Sequence, residues 1–250
     1  MSVPESIDYG SRGRIGVIVP SGNSVAEPQI RAMLPPGVQA YVTRLPLLGS
    51  SSEELINMAS QARQAANLLT DAGVECLAFH CTAASTYSVE LNDLINRQVQ
   101  VSEKAHSFAT ADAIVHALRC VDARRVVLLT PYIEPVNERE VAFLTHHGFE
   151  VIACEGLQIN TNKEMAELPP STFIEMALRN QRDDADAYLI SCTAVRSAEC
   201  IEALEASLKR PVITSNQAMV WYALRGCGVQ DPVAGFGTLL DRDRAPLSAG

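Results

Sequence analysis

No stretch of this chain approaches the roughly 20 apolar residues needed to span a bilayer, so no membrane-spanning helix and no membrane partner are expected. The opening Met1-Ser-Val-Pro-Glu-Ser-Ile-Asp8 is polar and mildly acidic. It lacks the basic and apolar regions of a secretory signal, and a cytoplasmic location is the resulting expectation. Positive charge is in deficit. The net charge of -9 argues against non-specific nucleic-acid binding. A cleft for a small dianion stays compatible with that balance, because a few well-aimed donors suffice. Seven cysteines, an odd number with irregular spacing and no C-x-x-C pair, read as reduced thiols rather than as a disulfide framework or a zinc site. Cys76 and Cys81 lie close together, yet no His/Cys pair completes a ligand set, so metal-independent chemistry is expected. Neither a G-x-G-x-x-G nor a Walker sequence is present, and no nucleotide is implied.

What the chain does contain is a repeat. Leu77-Ala-Phe-His-Cys81-Thr-Ala-Ala-Ser85 and Tyr188-Leu-Ile-Ser-Cys192-Thr-Ala-Val-Arg-Ser197 are apolar runs leading into Cys-Thr-Ala. Arg14-Ile-Gly-Val-Ile-Val-Pro20 and Arg125-Val-Val-Leu-Leu-Thr-Pro131 form a second pair with the same offset of 111 residues. Two motifs sharing one offset imply an internal duplication. A pseudo-twofold axis between the halves would set the two cysteines on either side of a small substrate. At 250 residues, 47% hydrophobic and 20% charged, the chain has the composition of a globular protein able to bury a substantial core.

Alternating signals extend through both halves. Residues 15–19 form a continuous apolar run suited to a strand buried on both faces, and Gln39 to Leu45 supplies a second strand. One long helix is predicted from about Ser52 to Ala72, with Leu55, Met58, Ala62, Ala65 and Leu69 at helical spacing, a start at Ser51 or Ser52 and a stop at Gly73. A strand then runs to Cys81. The second half repeats the pattern: strands at 125–130, 149–153 and 187–190, and helices at about 136–147 and 171–181. Pro211 opens another strand-to-helix element, with a helix over Ala218 to Leu224 similar to that over Ala111 to Leu118. This is an α/β pattern of parallel sheets with helices on both faces, whose ligands bind beyond the carboxyl ends of the strands. The first half is expected over 14–118 with a returning segment at about 211–237, the second over 119–210, and a flexible tail over 241–250.

Chemistry concentrates at the strand ends. A cysteine there, opening onto a helix, meets backbone N–H groups and the positive end of the helix dipole, and both are expected to depress the thiol pKa. The N–H groups of each Cys-Thr turn can also hold a carboxylate or an enolate oxygen. Free cysteine is more often a small buried hydrophobe, and that reading is kept for Cys76, Cys120, Cys154, Cys200 and Cys227. For Cys81 and Cys192, equivalent positions at two ligand-facing strand ends favour catalysis. Pro20-Ser-Gly-Asn23 is an anion-cradle candidate, with plain N-capping by Asn23 or Ser24 as the alternative. Tyr132 can offer its phenol to a carboxylate, or be a half-buried aromatic with a wet tip. Asn160 and Asn162 lie in a loop that can reach the cleft. His80 alternates away from Cys81 and reads as a structural group. The turn 214–217, Thr-Ser-Asn-Gln, either lines the site or caps a helix.

From about Arg14 to Gly237 these features resemble the aspartate/glutamate racemase superfamily, in its maleate cis-trans isomerase and arylmalonate decarboxylase branch. The markers are Val19-Pro-Ser-Gly-Asn23 with Glu27, the two Cys-Thr turns, Pro131-Tyr132-Ile-Glu-Pro-Val-Asn137-Glu-Arg139, Ile159-Asn-Thr-Asn162, and Thr214-Ser-Asn-Gln-Ala218. His80 and Gly22 depart from the isomerase pattern. The resemblance implies two flavodoxin-like halves with the active site in the cleft between them and no cofactor. It further implies isomerisation of maleate or a similar small cis-enedioate to fumarate, with Cys81 adding to the alkene and Cys192 handling the proton. Asn23, Tyr132, Asn162 and the turns of Thr82, Ala83, Thr193 and Ala194 would hold the two carboxylates. Alternatives are a two-cysteine racemase or epimerase of a small amino or hydroxy acid, an arylmalonate-type decarboxylase protonating through Cys192 alone, and a non-catalytic ligand-binding module. A homo-oligomer is expected, as is common for cytosolic enzymes.

Overall fold

The computed structural model describes residues 7–242. The first six residues of the opening segment, and the expected tail from residue 243 onward, lie outside the described residues. The first half runs β1 (Gly13–Pro20), α1 (Ala26–Met33), β2 (Val38–Leu45), α2 (Ser52–Ser60), α3 (Ala62–Asp71), β3 (Cys76–Phe79), α4 (Thr82–Ser85), α5 (Val89–Val99), β4 (His106–Ala109) and α6 (Thr110–Cys120). The second runs β5 (Arg125–Thr130), α7 (Glu134–His146), β6 (Glu150–Gly156), α8 (Asn162–Glu167), α9 (Pro170–Arg179), β7 (Ala187–Ile190), α10 (Ile201–Leu208), β8 (Val212–Thr214) and α11 (Ser215–Gly226).

Each half builds a four-stranded parallel sheet of the same order, β2-β1-β3-β4 and β6-β5-β7-β8. The duplication extends to register. Ile18 pairs with Phe79 and Leu129 with Ile190, and in each sheet the next N–H, of His80 or Ser191, donates to the carbonyl of Ile18 or Leu129. Central strands β3 and β7 are buried throughout, which is why they read as continuous apolar runs. Edge strands β2 and β6 are only partly covered. Two apolar clusters fill the molecule, and both draw residues from both sheets.

The predicted helix over 52–72 is broken into α2 and α3. The carbonyl of Asn57 is taken by the Ser60 hydroxyl at 2.7 Å and the Gln61 amide at 3.3 Å, so side chains compete with the helical ladder where it ends. Ser51 and Glu54 form a reciprocal capping box at the start of α2. Gly73 and Gly148, at φ of +70° and +91°, make the left-handed stops after α3 and α7. The returning segment divides. β8 joins the edge of the second sheet beside β7, whereas α11 packs on α6, β3 and α1 of the first half. Asp241 closes a short 3-10 turn begun at Thr238.

Leu55, on the inward face of α2, is fully buried. Leu55→Ala is expected to lower stability by about 2–5 kcal/mol in urea unfolding, through lost apolar transfer and the cavity left behind.

Candidate active site

Cys81 and Cys192 stand two residues beyond the last paired residue of the central strands, at the switch point of each sheet. Both are nearly sealed, at 4% and 3% exposure. Cys81 has extended backbone and precedes the single turn of α4. Cys192 has φ +153°, a region that favours glycine. Such a conformation costs on the order of 1–3 kcal/mol and persists only where the surroundings hold it.

What holds it is the start of α11. The Cys192 N–H donates to the Ser215 hydroxyl oxygen at 3.1 Å, and the Thr82 hydroxyl donates to the same oxygen at 2.9 Å. One side chain therefore ties both cysteine turns. Beside it, the Asn216 amide nitrogen donates to Gln29 Oε1 at 2.7 Å and the Thr193 carbonyl at 3.3 Å, so its Oδ1 faces His80 Nε2 at 2.8 Å. His80 then carries its proton on Nε2, and Nδ1 lies 2.9 Å from the Thr110 hydroxyl, whose single hydrogen also has the Phe79 carbonyl within reach at 3.0 Å. Burial pushes His80 down to about 4, against the hydrogen bond to Asn216. At neutral pH it is a neutral structural link, as its alternation in β3 suggests.

The other candidates surround this hub. Asn23 caps the start of α1, with Oδ1 accepting from the N–H groups of Val25 and Ala26, while Nδ2 donates to the Thr193 hydroxyl at 3.0 Å. Arg44 braces that loop from the carbonyls of Pro20, Ser21 and Asn23 and pairs with Glu27. Asn162 donates its backbone N–H to the Leu48 carbonyl and its amide to the Leu47 carbonyl, so the two halves are stitched together there. Ser50 and Asn160 add a further bond at 2.6 Å. The Asn23 and Asn162 amide nitrogens each keep a second hydrogen for a ligand. Thr82, Ala83, Thr193 and Ala194 are all buried around the thiols. Tyr132 is 3% exposed rather than half-buried, and its phenol eases ionisation of Cys192.

The thiols depart from expectation. Burial pushes Cys81 up to about 12, with the Ala84 N–H opposing and the nearby Cys192 adding to the rise. Burial likewise pushes Cys192 up to about 12, opposed by the Tyr132 phenol and the Ala194 N–H and reinforced by Glu140. The expected depression fails because α4 is a single turn with little dipole to offer, while removal from water penalises the thiolate directly. Tyr132 is raised well above its ordinary value, chiefly by burial, and remains a donor. A charge on Cys192 raises Cys81 further, so ionisation of that sulfur opposes ionisation of its counterpart. Among the other cysteines, Cys76 and Cys200 are buried as packing groups, but Cys154 is exposed, a correction that follows from its place on edge strand β6. Among the described residues no three His, Cys, Asp or Glu side chains converge as metal ligands, and no helix is long and apolar enough to cross a membrane.

The sequence model of the arylmalonate decarboxylase family matches residues 15–240. The chain belongs to this family. The maleate isomerase of Nocardia farcinica is 30% identical over 244 residues, spanning 93% of this chain and 97% of that protein. The arylmalonate decarboxylase of Bordetella bronchiseptica is 33% identical over 132 residues, 52% of this chain and 55% of that one. Among solved structures, a cysteine-to-serine mutant of the Nocardia maleate cis-trans isomerase with a covalently bound succinylcysteine intermediate superposes with a TM-score of 0.84 at 28% identity, covering 92% of this chain and 98% of that one.

Three contributors to this family site escape a reading by motif. Gln29 lies on a helix the sequence pattern passes over, Met165 contacts the Cys192 sulfur at 3.8 Å, and Glu140 sits fully buried on α7. Ser215 and Asn216 carried a usable signal, a polar turn at a strand end; Thr214 and Gln217 cap α11 while Ser215 and Asn216 face the site.

Ser215→Ala removes the acceptor shared by both turns. It is expected to cost about 1–3 kcal/mol in urea unfolding, and to change the alkylation rates of Cys81 and Cys192 together. His80 takes its proton less readily folded than unfolded, so stability is lost as pH falls from about 6.5 towards about 4. The loss is on the order of 3 kcal/mol. His80→Gln should lack this component, so the stability difference between wild type and variant should shift in the variant's favour across that window.

Proposed function

We propose that this chain is a cofactor-independent cis-trans isomerase that converts maleate, or a similar small cis-enedioate, to fumarate through a cysteine adduct. The observation that carries the reading is the pair of buried cysteines at equivalent strand ends, both turns tied to the one Ser215 hydroxyl. A structure of the maleate isomerase from Pseudomonas putida with maleate, 27% identical with a TM-score of 0.84, supports it. So does the succinylcysteine of the Nocardia enzyme, formed in a protein from which another cysteine had been removed.

The steps follow from electron counting. Cys81 as thiolate forms a bond to one alkene carbon, and the π pair moves to the other, where the adjacent carboxylate holds it as an enediolate. The central bond is now single and rotates. The pair then returns to re-form the alkene in its trans geometry and expels the Cys81 thiolate. Cys192 faces the carbon that carries the developing charge; it can lend its proton, giving a succinyl adduct, and take it back before elimination. Asn23, Asn162, Tyr132 and the N–H groups of Thr82, Ala83, Thr193 and Ala194 are the donors we assign to the two carboxylates and the enediolate. Their buried setting strengthens each such bond relative to water. We read the location as cytoplasmic and the assembly as a homo-oligomer; sedimentation of the purified protein as a monomer would remove the latter.

Similarity to the Bordetella enzyme favours one second reading, loss of CO2 from a disubstituted malonate with Cys192 as proton donor. A proton NMR time course with maleate in deuterated buffer separates them. Fumarate should form with wild type and with neither Cys81→Ala nor Cys192→Ala. Unchanged maleate with wild type would overturn the isomerase, and decarboxylation of an arylmalonate that survives Cys81→Ala but not Cys192→Ala would replace it.

A further inference from the structure

The turn that carries Asn23 is held from two sides. On one side, the segment after β2 takes its amides: the Ser21 N–H donates to the Leu45 carbonyl at 2.7 Å and the Gly22 N–H to the Leu47 carbonyl at 3.2 Å. The same Leu47 carbonyl accepts the Asn162 amide at 3.1 Å. A Cβ on Gly22 would stand only 3.2 Å from that oxygen and 3.3 Å from the Asn162 Cβ. The turn therefore abuts the second asparagine with little room to move towards it.

On the other side, one guanidinium gathers its carbonyls. Arg44 Nη1 donates to the carbonyls of Asn23 at 2.8 Å, Ser21 at 3.2 Å and Pro20 at 3.3 Å. Two hydrogens serve these three acceptors, and the shortest bond goes to Asn23. Nη2 pairs with Glu27, in the first turn of the helix that follows. Among the described residues, the side-chain hydrogen bonds of Arg44 go only to this turn and to Glu27. One rigid plane thus ties β2, the turn and α1.

An ion pair whose side chains are 39% and 22% exposed adds little to stability. Its consequence is geometric. Asn23 Oδ1 is committed to the N–H groups of Val25 and Ala26, and Nδ2 gives one hydrogen to Thr193 of the second half. The aim of the remaining hydrogen then depends on where the backbone at residue 23 sits, and a displaced donor holds its ligand poorly.

We propose that Arg44, anchored by Glu27, is the positioning residue for Asn23: it keeps the spare amide hydrogen aimed at a substrate carboxylate, and so sets affinity for the diacid rather than the rate of the thiol chemistry. The inference rests on reading Asn23 as a carboxylate donor, but the clamp itself is measurable without substrate.

The first arm of the test is amide hydrogen exchange of the full chain without substrate, following residues 21–26 with β7 as the internal reference. Arg44→Lys keeps the charge and loses the planar fork, so exchange over 21–26 should quicken about tenfold, as for one lost charge-assisted hydrogen bond, with β7 unchanged. Glu27→Gln leaves Arg44 in place and should quicken it about threefold. Unchanged exchange in either variant would overturn the clamp. The second arm is initial rates with maleate. Arg44→Lys should raise KM about tenfold and leave kcat within about twofold of wild type. Added to Asn23→Ala, it should raise KM no further, because a residue that acts through another has nothing left to move. Additive effects, or a loss confined to kcat, would overturn the proposal. If maleate binds without being converted, the isomerase reading sinks, and calorimetric Kd values replace KM in the same comparison. A wild type that neither converts nor binds maleate would overturn both.

Discussion

Everything at this site hangs on one oxygen. The Ser215 hydroxyl accepts a hydrogen bond from the first cysteine turn through Thr82 and another from the second through the Cys192 N–H. Without a common anchor, two thiols contributed by separate sheets would have their spacing set only by the packing of the halves. The neighbouring Asn216 repeats the arrangement, linking His80 in one half to the Thr193 carbonyl in the other. A polar network of this kind is safe in a dry interior only when its members are satisfied. These bonds also hold Cys192 in a backbone conformation suited to glycine.

Burial and reactivity pull in opposite directions here. Enclosure strengthens the bonds that would hold a dianion, and it also raises both thiols to about 12. The resting site therefore favours two thiols over a thiolate. An enclosure that admits only one negative sulfur suits a reaction in which one partner adds and the other handles a proton, because a second thiolate would be repelled by the first.

Much of the architecture was legible in the chain because a duplication repeats register as well as sequence. The shared offset between Arg14 and Arg125 and between Cys81 and Cys192 reappears as equivalent strand pairings. The apolar runs of β1, β3, β5 and β7 marked buried parallel strands directly. Other features depend on contacts between residues far apart. Nothing local in Ser215 says that Thr82 and Cys192 will meet at its oxygen. Nothing in Glu140, three positions after Asn137 on a polar-looking helix, says that it will be sealed from water. The break at Gln61 came from side chains bidding for one carbonyl, a competition invisible to apolar periodicity. The thiol shifts were misjudged because helix dipoles can be read from order along the chain, whereas desolvation requires the packed interior.

The crossing of the final helix bears on how such a protein can be taken apart. β8 completes the second sheet, but α11, which follows it without a break, packs against α6 and β3 of the first. A chain cut at the sequence midpoint would leave the first piece with an uncovered apolar flank and the second with a helix that has nothing to dock on. The repeat is thus a unit of ancestry but not a unit of folding. A functional two-piece version would need the fragments to find each other, with α11 serving as the clasp between them.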